Sequence, residues 1–223
     1  AIECGIVKLP RVPVADNVPG GDTPKFRNLW DHIGKKLPKK GRGGSGKSLD
    51  PLSLPAELLT ALEALYGHYA KTFELWENEG IGVPPVFIVV CNNTSTSELI
   101  YKYVSGFHRE NDDGSTTLEN GRLALFRNYD DFGNRIARPN TILIDSAQLE
   151  SGEALDKDFR EMAADEIERF RREMIERTGD IHAGDAIDEA TLLREVMNTV
   201  GKKGRLGEQI RCVVSVSMLT EGW

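Results

Sequence analysis

The stretch Arg211-Cys212-Val213-Val214-Ser215-Val216-Ser217-Met218-Leu219-Thr220-Glu221-Gly222-Trp223 decides the fold class. Its uncharged, β-branched run has the composition of a parallel strand buried on both faces. Thr220-Glu221-Gly222 then falls at the carboxyl end of that strand, where open α/β sheets bind their ligands. A hydroxyl, a carboxylate and a glycine there suit a phosphate, because glycine lets the backbone N–H groups approach closely. The same residues also suit an ordinary exit from strand to loop.

Working backwards, two more apolar runs match the first. Val86–Cys91 (V-F-I-V-V-C) reads as a buried strand, followed by the polar turn Asn92-Asn93-Thr94-Ser95-Thr96-Ser97 and a helix over Glu98–Val104. That turn either grips a phosphate or caps the helix, since both tasks need side-chain oxygens beside free N–H groups. Thr141–Asp145 (T-I-L-I-D) reads as another strand. Between them, Asn111–Asn140 is polar and Gly-containing, with a loop or hairpin insertion expected around Leu123–Phe126. Apolar residues at spacings of three and four predict helices over Pro55–Glu79, capped by Ser53, over Leu155–Thr178 as one continuous helix, and over Glu189–Val200. The pairs Asp156/Arg160, Asp165/Arg169, Glu168/Arg172 and Glu173/Arg177 are placed to brace the second of these. Strands alternating with helices imply a parallel sheet with right-handed crossovers. The expected class is therefore α/β.

Composition narrows the function. A chain of 223 residues with 39% hydrophobic content can bury a core. It has neither a basic leader with an apolar run nor a stretch approaching the ~20 apolar residues of a membrane span, so a soluble, cytoplasmic protein is expected. Cys4, Cys91 and Cys212 are far apart and suit reduced core positions, and the four histidines show no zinc-ligand spacing. The net charge is −7, yet Pro24–Lys47 carries eight basic residues against Asp31 alone. Lys35, Lys36, Lys39, Lys40 and Arg42 lie at its centre. Such a segment is either a phosphate-backbone contact or a solvated loop.

Two motif matches fail on context. Gly41–Ser48 fits G-x-x-x-x-G-K-[ST], but Lys35-Lys36-Leu37-Pro38-Lys39-Lys40 before it cannot be a buried strand, and Pro51 comes too soon for a helix after it. Ile142-Leu143-Ile144-Asp145 matches a strand with a terminal magnesium-binding acid, but Ser146 follows where a second acid is needed, and Asp145 reads as a turn cap.

Together, Pro85-V-F-I-V-V-C-N-N-T and C-V-V-S-V-S-M-L-T-E-G-W resemble motifs IV and V of superfamily-two DEAD/DEAH-like helicases. They look closest to the Res subunit of type III restriction enzymes. L-L-R-E-V-M-N-T-V-G-K-K-G-R-L-G and G-I-V-K-L-P-R-V-P are also similar to that family. The resemblance implies a connector with a basic loop and long helix over residues 1–82. Residues 83–223 would be an incomplete C-terminal RecA-like lobe, broken off inside motif V before the arginine-finger motif. It further implies that Ser217, Thr220, Glu221 and Gly222 couple nucleotide state to the nucleic-acid backbone, and that Asn92, Asn93, Thr94 and Ser95 touch the tracked strand. DNA is the implied partner, with a methyltransferase subunit as a second. ATP and Mg2+ would be held mainly by another lobe, so this chain alone is expected to be inactive and to bind no metal. Two rivals remain open at this point: a self-contained P-loop NTPase or kinase using Lys47, and a non-catalytic α/β module that binds nucleic acid.

Overall fold

The computed structural model describes residues 29–37, 50–111, 113–145, 157–184 and 187–216. In chain order the regular elements are α1 (Leu29–Ile33), α2 (Ala56–Asn78), β1 (Phe87–Cys91), α3 (Thr94–Ser105), β2 (Gly106–Glu110), β3 (Thr116–Asn120), β4 (Thr141–Ile144), α4 (Lys157–Met162), α5 (Ala164–Thr178), α6 (Glu189–Asn198) and β5 (Cys212–Val216). Strands β1, β5 and β4 form a parallel sheet in that spatial order, and β2 pairs with β3 as a separate antiparallel hairpin. The α/β class and the parallel sheet with flanking helices are therefore as the sequence implies, and consistent with a partial RecA-like lobe.

The last strand is inserted between the first two. Phe87 and Thr141 both face Cys212, so the three strands start level. Cys212 and Val214 turn to one face, where they pack with Leu62 and Tyr69 of α2 and Leu99 and Tyr103 of α3. Val213 turns to the other, among Ile142, Ile144, Phe170 of α5 and Leu193 and Val196 of α6. Helices on opposite faces are what right-handed crossovers require when the chain runs outward from β1 to β4 and then back to β5. Val213 and Val214 are fully buried, each contributing roughly 1.5–3 kcal/mol over an exposed side chain. The thiol of Cys91 is pushed up to about 12 by burial, and that of Cys212 is raised by the same cause, so both behave as core residues rather than nucleophiles.

Four local features depart from the sequence reading. The β1 run is not buried on both faces: Ile88 is 46% and Val90 59% exposed, because β1 is an edge strand whose outer face the helices α4–α6 leave uncovered. Ser53 does not cap α2. Asp50 instead caps a short 3-10 turn, Pro51–Ser53, by accepting from the Leu52 N–H at 2.9 Å, and α2 starts after Pro55, which takes the N-cap position without a side-chain hydrogen bond. The helix expected over Leu155–Thr178 breaks at Ala163, where Arg138 takes up the Met162 carbonyl at 3.3 Å and pairs with Glu166 at 2.6 Å. Its charges reach across to other elements: Arg205 binds Glu173 at 2.5 and 2.7 Å, and Arg169 donates to the Gly204 carbonyl at 2.6 Å. Finally, Ala124–Phe126 is a 3-10 turn with Leu123 and Phe126 buried, and the hairpin lies earlier. Gly106 permits that, since its φ of 98° turns α3 straight into β2 where a Cβ would press on Gly121 N at 3.0 Å.

Asn128 closes the free edge of β4. Its Oδ1 accepts from the Thr141 N–H at 3.0 Å and its Nδ2 donates to the Thr141 carbonyl at 2.8 Å, so one side chain replaces a neighbouring strand. Asn128→Ala leaves both buried backbone groups unpaired, and we expect it to lower stability by about 2–4 kcal/mol, read as a lower urea midpoint at unchanged m-value.

Candidate functional site

The carboxyl ends of the three strands lie close together. Cys91 is level with Val216 and Ile144 with Ser215, so Asn92 and Asp145 leave the sheet on either side of the end of β5. Asn93 opens α3 in the way its residue type predicts: its backbone is extended and its Oδ1 accepts from the Thr96 N–H at 2.8 Å. The Asn93 carbonyl accepts from Ser97 N at 3.1 Å, and Ser97 Oγ donates back to the Thr94 carbonyl at 2.9 Å. The twelve-residue α3 thus has a rigid N-terminus, where its dipole favours negative charge.

The four residues predicted for nucleic-acid contact separate into two groups. Asn93 is buried and its amide is engaged as the cap, while Asn92, Thr94 and Ser95 are exposed at the rim. Asn92 Oδ1 also accepts from Asn93 Nδ2 at 3.1 Å. Four of the six residues of the predicted polar turn, Thr94 to Ser97, are therefore the first turn of the helix itself. Asp145 is buried at the end of β4.

Toward this end of the sheet, two buried hydroxyls have no hydrogen-bond partner among the described residues. Thr96 Oγ1 and Ser215 Oγ are both buried without a hydrogen bond. Leaving a hydroxyl so costs roughly 1–3 kcal/mol on the protein mutational scale. Thr96 borders an apolar cleft of about 350 Å³ that runs along β1 between Trp30, Leu65 and Val90, with Asn92 at the same polar end. Sequence reasoning passed over Ser215, although a lone hydroxyl in the run C-V-V-S-V was its available signal.

Of the basic residues, Lys35 and Lys36 are exposed beyond α1, and Lys36 is paired with Glu57 at 2.6 Å. An exposed pair of this kind contributes ~0–1 kcal/mol and gives way readily to a phosphate. Lys39, Lys40 and Arg42 lie outside the described residues. So do Lys47 and the predicted motif V residues Ser217, Thr220, Glu221 and Gly222. The nearest α-helix described after the Gly41–Ser48 match begins only at Ala56, with a 3-10 turn intervening.

No family model, no curated protein and no solved structure matches this chain. Among the described residues no group of three or more His, Cys, Asp or Glu is placed to hold a metal ion. No described helix is long and apolar enough to cross a membrane.

The two roles at the start of α3 are separable. Asn93→Ala removes the cap and is expected to cost about 1 kcal/mol. Thr96→Val removes a hydroxyl that nothing satisfies and is expected to leave stability unchanged or to raise it by up to ~1 kcal/mol. Chemical denaturation of the two variants checks both, and a Thr96→Val loss as large as that of Asn93→Ala would mean the hydroxyl has a structural partner.

Proposed function

We propose that this chain forms part of the second RecA-like lobe of an ATP-dependent DNA translocase, of the kind found in superfamily-two helicases and the Res subunit of type III restriction enzymes. In this reading it is a cytoplasmic protein that works with ATP and Mg2+ bound mainly by another lobe, with DNA as partner and a methyltransferase subunit as a second.

The observation that carries the reading is the rim at the carboxyl end of β1. Asn92, Thr94 and Ser95 stand exposed at a capped helix N-terminus, level with the end of a buried central strand, and the buried hydroxyl of Thr96 in the same helical turn has no hydrogen-bond partner among the described residues. Hydroxyl and amide side chains beside a positive helix end suit the backbone of a nucleic acid, which such groups position without reading its sequence. The resemblance of the two strand segments to motifs IV and V supports the same assignment.

Binding of labelled single-stranded DNA by the 223-residue chain tests it. Replacing Asn92 and Ser95 together by Ala is expected to weaken binding roughly tenfold, equivalent to about 1.4 kcal/mol. Equal affinity of the double variant would remove the rim from the interface.

Hydrolysis gives an independent check. Phosphoryl transfer depends on a phosphate cradle and metal positioned together, and among the described residues the element before the one phosphate-loop match is the helix α1 and the element after it is the 3-10 turn Pro51–Ser53. The chain alone is expected to release no phosphate from ATP with or without DNA, and DNA-stimulated release would sink the assignment. Unchanged nucleotide binding in Lys47→Ala is the companion result.

A further inference from the structure

A second cavity lies at the opposite, amino-terminal side of the sheet. It encloses about 310 Å³, at the lower limit of small-molecule sites, between the last turn of α3, the start of β2 and the outer edge of β4. Tyr101, Lys102, His108, Tyr129 and Arg135 line it, and no carboxylate does among the described residues. A recess whose charged lining groups, Lys102 and Arg135, are both cations concentrates field on whatever enters it. The larger cleft between α5 and α6 differs in this respect, because Glu173 and Glu195 stand among its Arg and Lys side chains and Arg205 is already bound to Glu173.

The aromatic groups narrow the ligand further. His108 meets Tyr129 edge-on, with ring centroids 5.3 Å apart, and Tyr129 and Arg135 are bridged across the base of one tight turn. That turn is held from within: Asp130 accepts from Phe132 N at 2.9 Å, Asn134 N at 2.8 Å and Asn134 Nδ2 at 3.1 Å. The Asp130 carboxylate is thus engaged with its own loop amides, which hold its proton affinity below the usual carboxylate range. Among the described residues the Lys102 side chain is tied to Glu98 alone, an i,i+4 surface pair at 2.7 Å that an incoming anion displaces at little cost. Thr141 has its edge amide satisfied by Asn128, and strand alternation turns the amide of Leu143, which also lines the cavity, to the same edge.

We propose that this cavity binds a nucleoside phosphate, with the base against Tyr129 and the phosphate among Lys102, His108 and Arg135. Guanidinium and ammonium groups supply the charge-assisted bonds that a phosphate needs, and a tyrosine ring supplies a sequence-tolerant platform for a base. The source is either a free nucleotide or one unit of a single strand. Phe132, 91% exposed at the tip of the same turn and not among the residues lining the cavity, offers a ring on which the next base of a strand would stack. This site lies away from the Asn92–Ser95 rim, and the two readings stand or fall separately.

The test uses the 223-residue chain with three probes: a fluorescent AMP analogue, a labelled deoxythymidine oligonucleotide, and inorganic phosphate as competitor. Lys102→Ala/Arg135→Ala and, separately, Tyr129→Leu are each expected to weaken probe binding at least tenfold, while Arg177→Ala in the other cleft and Asn92→Ala/Ser95→Ala leave AMP binding unchanged. Circular dichroism confirms that each variant is folded, and Tyr129→Phe is expected to bind normally. Saturable binding of AMP identifies a free nucleotide as the source. Binding of the oligonucleotide alone, weakened by Phe132→Ala, identifies a strand. Competition by phosphate with no effect of Tyr129→Leu would overturn the proposal in favour of a plain anion site, and so would the absence of saturable binding or full affinity in the Lys102/Arg135 variant.

Discussion

The structure depends on the burial of one strand with no charge in it. Cys212–Val216 pairs on both sides and packs on both faces, so its side chains join two cores that otherwise share no helix. A single charged residue in this run would be taken out of water on every side, at a cost of several kcal/mol without a partner. β1 and β4 touch no common strand except β5, and the helices of each face find their opposing surface only once it is in place. The composition of five residues therefore decides whether this is an α/β sheet or two unconnected helical layers.

Where the sequence was legible, one element decided its own state. β5 is buried on both faces and reads so from V-V-S-V alone, and α6 follows from its spacing and its Asp188 cap, which accepts from Thr191 N at 2.8 Å. Errors arose where a distant group intervened. The break at Ala163 is held by Arg138, from the loop before β4, and no periodicity within the helix records that partner. β1 has the composition of a buried strand, but its place at the edge follows from the return of β5 on its other side, which a local reading does not contain. The β2–β3 hairpin was missed because G-F-H-R-E carries little apolar alternation. Its signal was Gly106, a residue able to leave a helix at a positive φ.

The candidate site was legible to a similar degree. Asn92–Ser95 was found because a polar run after an apolar strand is a strong contrast, yet the division between the buried cap Asn93 and the exposed Asn92, Thr94 and Ser95 depends on where α3 begins. The cavity lined by Lys102, His108 and Arg135 had no sequence signal, since its residues come from a helix end, a hairpin and a turn whose meeting is tertiary. Asn128 is similar: a polar residue in a polar stretch, it becomes a structural keystone only because Thr141 comes alongside.

Inserting the last strand between the first two also has a consequence during synthesis. On the ribosome, β1 and β4 emerge with a vacant slot between them, flanked by apolar faces such as those of Ile142 and Val89. Translation of residues 145–211 at roughly 5–20 residues per second takes on the order of 3–13 s before Cys212 appears. For that interval the nascent chain presents an open, uncharged template of the kind that chaperones hold, and any extended segment that reaches the slot first competes with the chain's own strand.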